Sequence, residues 1–167
     1  TLMALAFVDN CVIDADALTS FENNPDELFV DTYPHTIFTP HEGEFRRLFG
    51  DNIASMNDKV LKCVEASKIA GSIVLLKGSD TVIANPKGEV VINFSKAPYL
   101  ATAGSGDVLA GIIASLVGKN KMNSFDAACA GAWIHSKLGE YLGPGLIAED
   151  LVDNIPYIIK KLSNYEL

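Results

Sequence analysis

The sequence predicts an α/β layered domain with a mainly parallel central sheet. Three observations carry this reading. Short apolar runs alternate with stretches of helical spacing. One of those runs, Ser72-Ile-Val-Leu-Leu-Lys77, is apolar between its ends, as strands covered on both faces are. Residues able to carry chemistry stand just after the runs, where parallel sheets gather their ligands. With 167 residues, 49% of them hydrophobic, the chain has material for one domain with a sizeable core.

In chain order, residues 6–14 end in Cys-Val-Ile-Asp and read as a buried strand with polar groups at its carboxyl end. Thr36-Ile-Phe-Thr39 is a second short strand, stopped by Pro40. Proline suits a first helical position, so a helix is expected from there, with Phe45, Leu48 and Phe49 on one side. Over 57–70, Val60, Val64 and Ser67 keep helical spacing, Asp58 falls in the first turn and Gly71 marks the stop. After the strand at 72–77, runs 81–84 and 89–94 flank Asn85-Pro-Lys-Gly88 and read as a hairpin. Helices are expected over 107–117, 125–141 and 149–162, the last broken or kinked at Pro156. No internal repeat, low-complexity tract or linker interrupts the pattern.

A net charge of −8 and no basic stretch argue against nucleic acid or an anionic membrane as partner. A phosphate ligand would have to be held locally, by backbone amides, a few lysines or a metal. Cys11, Cys63 and Cys129 lie far apart in apolar surroundings, without a Cys-x-x-Cys pair, and read as buried thiols in a reducing compartment. The longest uncharged apolar run, 108–118, is too short to span a bilayer. Residues 1–8 resemble a signal-peptide core but lack the preceding basic residue and a cleavage site, so a cytoplasmic location is expected. The chain begins with Thr1 rather than Met, which predicts further sequence upstream.

The most informative stretch is Ala101-Thr-Ala-Gly-Ser-Gly-Asp-Val-Leu-Ala-Gly111. Gly104 and Gly106 let main-chain N–H groups approach a ligand closely, and the helix that follows adds its free amides and positive dipole end. Asp107 falls in the first turn, where a carboxylate beside a bound phosphate can take the proton of an attacking hydroxyl. The alternative from spacing alone is a glycine-rich turn whose aspartate only caps a helix. Asp14, Asp16, Pro40-His41, Lys77-Gly78 and the 104–107 loop all stand at expected strand ends, so they are expected to meet in one crevice. Asp14 and Asp16 also suit simple caps of the next helix. His135, without an acid or cysteine at ligand spacing, reads as a core histidine near a helix end.

Thr39-Pro-His-Glu-Gly-Glu44, Leu76-Lys-Gly78 and the 101–111 stretch, with Ile13-Asp-Ala-Asp-Ala-Leu18 upstream, together resemble the ribokinase-like ATP- or ADP-dependent NAD(P)H-hydrate dehydratases. The resemblance runs from about Val12 to the C-terminus, and its specificity lies in the agreement of several motifs. Gly-Ser-Gly-Asp alone marks only the wider ribokinase-like group. The resemblance implies that residues 1–167 are the C-terminal, nucleotide-binding portion of one ribokinase-like domain whose N-terminal strands are missing. It implies a repair lyase that returns hydrated NADH or NADPH to the reduced nucleotide, with ADP or ATP as co-substrate and magnesium as cofactor.

By the same resemblance Asp107 is the catalytic acid/base and a substrate contact, and His41 is a second substrate contact. Gly104, Ser105 and Gly106 hold the transferred phosphoryl group, Lys77, Gly78, Ser79, Asp80 and Thr81 line the adenine nucleotide, and Glu44 organises magnesium through water. Taken as residues alone, His41 also fits a helix cap, Glu44 a first-turn carboxylate and Lys77 a solvent-facing strand end. Two other functions stay open: a ribokinase-like kinase of a vitamin precursor or sugar, and an inactive nucleotide-binding remnant. The missing strands imply association, as a homo-oligomer or with an N-terminal segment.

Overall fold

The computed structural model describes residues 1–8 and 10–163. Its sheet holds β1 (Val12–Ile13), β2 (Ile37–Phe38), β3 (Ile73–Leu76), β4 (Asp80–Ala84) and β5 (Val90–Phe94), side by side in that order. β1, β2 and β3 are parallel, and the β4–β5 hairpin continues the sheet antiparallel from β3. The parallel part is thus the half that supplies strand ends to one side, and the hairpin makes the sheet mixed. Asn85 closes the hairpin turn by accepting from the N–H groups of Lys87 and Glu89, and Gly88 takes the left-handed backbone that the turn needs.

The helices are α1 (Leu2–Leu5), α2 (Asp16–Thr19), α3 (Pro25–Val30), α4 (Glu42–Ala54), α5 (Lys59–Ala70), α6 (Ser105–Gly118), α7 (Ser124–Leu142) and α8 (Ala148–Ser163). Side chains alternate across β3, so Val74 and Leu76 join a core with Phe45, Leu48, Cys63 and Ala66 from α4 and α5. Ile73 and Leu75 join a second core with Leu109, Ile113, Ala128 and Ala132 from α6 and α7. This two-sided burial is why the strand reads as a continuous apolar run. A third cluster packs α8, through Leu151 and Ile158, on Ile112, Ile134 and Leu138 of α6 and α7. Among the described residues, no helix is long and apolar enough to cross a membrane.

Several expectations need correction. The strand expected over 6–14 shrinks to Val12–Ile13, preceded by a short helix and a turn, and residue 9 lies outside the described residues. The helix expected from Pro40 begins two residues later, because His41 rather than proline provides the cap. Asp58 is likewise the cap of α5 and not a first-turn residue; its carboxylate accepts from Val60 N and Leu61 N at 2.8 and 3.1 Å. α8 passes through Pro156 without a break, and the proline lies on the exposed face of the helix. Cys63 is buried, and its thiol is pushed up to about 12 by burial, but Cys11 and Cys129 are only half-buried. At one end of the sheet β1 pairs with β2 alone among the described residues, and Met3, Phe7 and Val8 are exposed in the segment before it.

Candidate functional site

The three parallel strands end on the same side, and the residues that follow them make the site. After β1 stands Asp14, after β2 the Thr39-Pro40-His41 turn, after β3 Lys77. Lys77 Nζ donates to Asp14 Oδ1 at 2.8 Å and lies 3.7 Å from Glu44 Oε2. Both carboxylates are nearly buried, so this ammonium is held between two acids in a region of reduced dielectric. The chain leaves Asp14 through Ala15, whose φ of 49° is unusual for a residue with a Cβ and marks a strained turn beside the cluster.

α4 starts here with a reciprocal cap. His41 Nδ1 accepts from Gly43 N at 2.9 Å and Glu44 N at 3.2 Å, while Glu44 Oε2 accepts from His41 N at 2.8 Å. Histidine takes the part usually played by serine or threonine in such a box. Both readings of these residues therefore meet: His41 is a cap, and it also lines the cavity described below.

α6 begins over the same cluster. Gly104 is its N-cap, with φ 80°, and a Cβ there would come within 3.0 Å of Ala148. A Cβ on Gly106 would lie 3.5 Å from Lys77 Nζ and 3.7 Å from Asp14 Oδ2. The absent side chain thus leaves the first turn of the helix open onto a fixed cation. The Ser105 N–H donates to Thr102 O at 3.3 Å, and beyond it the Gly106 amide, the dipole end and an ammonium converge, an arrangement that attracts a phosphate. Asp107, one residue on, is exposed and is not among the residues that line the cavity.

A cavity of about 560 Å³ opens beside this seat. Its polar end is lined by His41, Lys77, Gly78, Ser79, Thr81, Ser105 and Gly106. The other end is an apolar slot walled by Ala97, Pro98, Leu100, Ala101, Leu109 and Ala132, with Ser95, His135 and Ser136 on its margin. Residues 98–100 form a 3₁₀ turn that rests on α7, where Gly139 makes room: a Cβ at 139 would lie 2.5 Å from Leu100 Cγ. The volume suits a nucleotide-sized ligand with an apolar ring at one end and charge at the other.

The structure joins Asp14, His41, Lys77 and the 104–106 turn of the expected strand-end crevice and adds Glu44 from the start of α4. Asp16 does not join them; it opens α2 and is exposed. Asp80 is held by Lys59, whose Nζ donates to its carboxylate and its carbonyl, both at 2.8 Å, and it does not line the cavity. That hydrogen bond holds the Asp80 carboxyl below its usual range. Gly104 shapes the turn without lining the cavity. Sequence reasoning missed the slot residues and undervalued His135, which is buried on the cavity wall with Nε2 2.8 Å from Ser105 Oγ. Among the described residues, no group of three or more His, Cys, Asp or Glu side chains is gathered to hold a metal ion. Magnesium is commonly held by one or two carboxylates with phosphate and water, and Glu44 and Asp14 are hard oxygen donors of that kind.

The family model for NAD(P)H-hydrate dehydratases of the carbohydrate-kinase type matches residues 2–160. The chain belongs to this family. It is 40% identical over 159 residues to the bifunctional NAD(P)H-hydrate repair enzyme Nnr of Moorella thermoacetica, covering 90% of this chain and 29% of that protein. It is 39% identical over 133 residues to the ADP-dependent (S)-NAD(P)H-hydrate dehydratase of Neisseria meningitidis serogroup B, covering 78% and 45% of the two chains. Among solved structures, a ribokinase-like protein of Enterococcus faecalis superposes with a TM-score of 0.80 at 26% identity, over 95% of this chain and 56% of that one. The ADP/ATP-dependent NAD(P)H-hydrate dehydratase of Bacillus subtilis, co-crystallised with ATP/Mg2+ and soaked with CoA, does so with 0.69 at 27% identity, over 75% and 48%. The fold is thus ribokinase-like, and the chain spans under a third of the bifunctional relative and about half of the others.

Proposed function

We propose that this chain supplies the nucleotide-binding half of an ADP- or ATP-dependent NAD(P)H-hydrate dehydratase, a lyase that repairs hydrated NADH and NADPH. The observation that carries the proposal is the seat itself: Lys77, fixed by Asp14, faces the open first turn of α6 at Gly106, beside a slot shaped for a base. The terminal phosphates of the nucleotide lie on the amide of Gly106 and against Lys77, and the base enters the slot past Ser79 and Thr81. Positioning and charge stabilisation of this kind supply most of the catalysis of phosphoryl transfer.

Asp107, exposed at the outer rim of the seat, takes the proton from the hydroxyl of the hydrate as that oxygen attacks the terminal phosphorus. The bond from phosphorus to the leaving AMP or ADP oxygen breaks in the same step. In the second step the ring nitrogen's electron pair expels inorganic phosphate, and loss of the neighbouring C–H proton restores the dihydropyridine. His41, on the cavity wall next to the seat, contacts the hydrate. Glu44 would hold magnesium, which when bound neutralises phosphate charge. Asp107 and His41 are both open to solvent, so the hydrate needs a further wall. An upstream polypeptide or a second copy added at the β1 end of the sheet supplies it, and the protein works in the cytoplasm.

The test incubates hydrated NADH with ADP or ATP and magnesium, with this chain alone and with the polypeptide that precedes it. Return of NADH absorbance in step with phosphate release is the expected result. Accumulation of a stable phosphorylated product would assign a kinase, and nucleotide binding without either change would assign a binding module.

A further inference from the structure

Ser105 is where the anion-binding turn becomes α6, and its side chain does not face the ligand space freely. It is 2% exposed and hydrogen-bonded through Oγ to Nε2 of His135 at 2.8 Å. His135 sits in α7, thirty residues on, and is itself only 9% exposed. α6 and α7 are pressed together just below this bond: a Cβ on Gly131 would come within 2.5 Å of Ile113 Cγ1. The imidazole is therefore carried on a rigid support, and both partners line the cavity next to Gly106. Burial pushes the His135 pKa down to about 4, against a backbone hydrogen bond at Ser105 that raises it and with the Lys77 charge adding to the fall. The ring is neutral at physiological pH, so it neither competes with Lys77 for phosphate nor repels it.

We propose that His135 is a positioning residue: its bond to Ser105 locks the first turn of α6 against α7, so that the amide of Gly106 faces the phosphate before it arrives. Preorganised amides bind without losing affinity to ordering a loop. The role rests on the nucleotide reading above and concerns that same seat. It predicts that breaking the bond from either side weakens nucleotide binding equally.

The experiment is calorimetric titration of the folded chain with ADP and magnesium, for wild type, His135→Leu, His135→Gln, Ser105→Ala and the double variant His135→Leu/Ser105→Ala. Loss of one buried hydrogen bond should weaken binding about tenfold in His135→Leu and in Ser105→Ala. Glutamine can reach the same hydroxyl, so His135→Gln should recover most of the affinity. The double variant should bind no worse than either single one, as expected of two halves of one interaction. Wild-type affinity in Ser105→Ala, or losses that multiply in the double variant, would overturn the role of His135 while leaving the nucleotide site in place. Should His135→Leu fail to fold, Ser105→Ala and His135→Gln decide the matter. Absence of ADP or ATP binding by wild type would overturn the nucleotide reading, and this role with it.

Discussion

The two ends of the cavity are built on opposite principles. At the seat, Lys77 lies within hydrogen-bond distance of Asp14 and ion-pair distance of Glu44, beneath an open helix turn. At the slot, alanines, a proline and leucines from residues 97–101, α6 and α7 enclose space with almost no polar groups. The seat depends on residue identity, because only particular side chains supply a cation, an acid or an absent Cβ. The slot depends on shape, and many apolar residues would serve. Changes at the seat should therefore cost chemistry and affinity, whereas changes at the slot should act through packing.

The largest effect is expected at the rim of the seat. In an assembly active on hydrated NADH, Asp107→Asn should lower turnover by about 10²–10⁴-fold with little change in nucleotide binding, since an amide cannot accept the hydroxyl proton. Steady-state rates set beside ADP titrations separate the two quantities. Next comes the pH dependence set by His135, where seat meets slot. Its pKa falls from 6.5 unfolded to about 4 folded, so between these values the unfolded chain binds the extra proton. Stability should accordingly be full above pH 6.5 and decline as the pH drops towards 4, by about 3 kcal/mol in all. Urea unfolding at a series of pH values measures this, and His135→Leu should flatten the profile within that window.

Lys77→Met removes the cation between two nearly buried carboxylates. ADP affinity should fall about 10–100-fold, the scale of a charge-assisted hydrogen bond, and the melting temperature should fall as well. The smallest effect is expected in the slot. Gly139→Ala places a methyl 2.5 Å from Leu100 Cγ and 2.8 Å from Ala97 Cβ, so the wall must shift. A cost of about 1–3 kcal/mol in stability, with a loss of ADP affinity of only a few-fold, is expected from such overpacking. A loss at Gly139→Ala as large as that at Lys77→Met would erase the distinction between the two ends.

The same contrast decides what could be read before the structure. Strand ends, the 101–111 loop and Lys77-Gly78 were legible because glycine, proline and charged residues carry local instructions that survive in one dimension. The stop at Gly71 was legible, Asp58 was placed in the first turn when it is the cap itself, and the cap at His41 was weighed as an alternative. The slot was not legible, since Leu100, Leu109 and Ala132 look the same in sequence whether they fill a core or wall a cavity. His135 was read as core, and it is buried; what spacing could not reveal is that a residue thirty positions earlier meets its ring. Asp80, expected beside the nucleotide, is held by Lys59 of α5 and does not line the cavity, a partner that spacing along the chain could not reveal. The early strand was overestimated because the apolar residues before Val12 form a short helix and a turn instead.

The most direct measurement compares ADP binding by wild type and by Gly106→Val, both shown to be folded by thermal melts. A branched side chain at 106 would project towards Lys77 Nζ and Asp14, into the space where the phosphate must sit. Phosphate binding at the seat predicts that wild type binds ADP and that Gly106→Val loses that binding while its melting temperature changes little. Equal affinities in the two folded proteins would contradict it and move the nucleotide elsewhere.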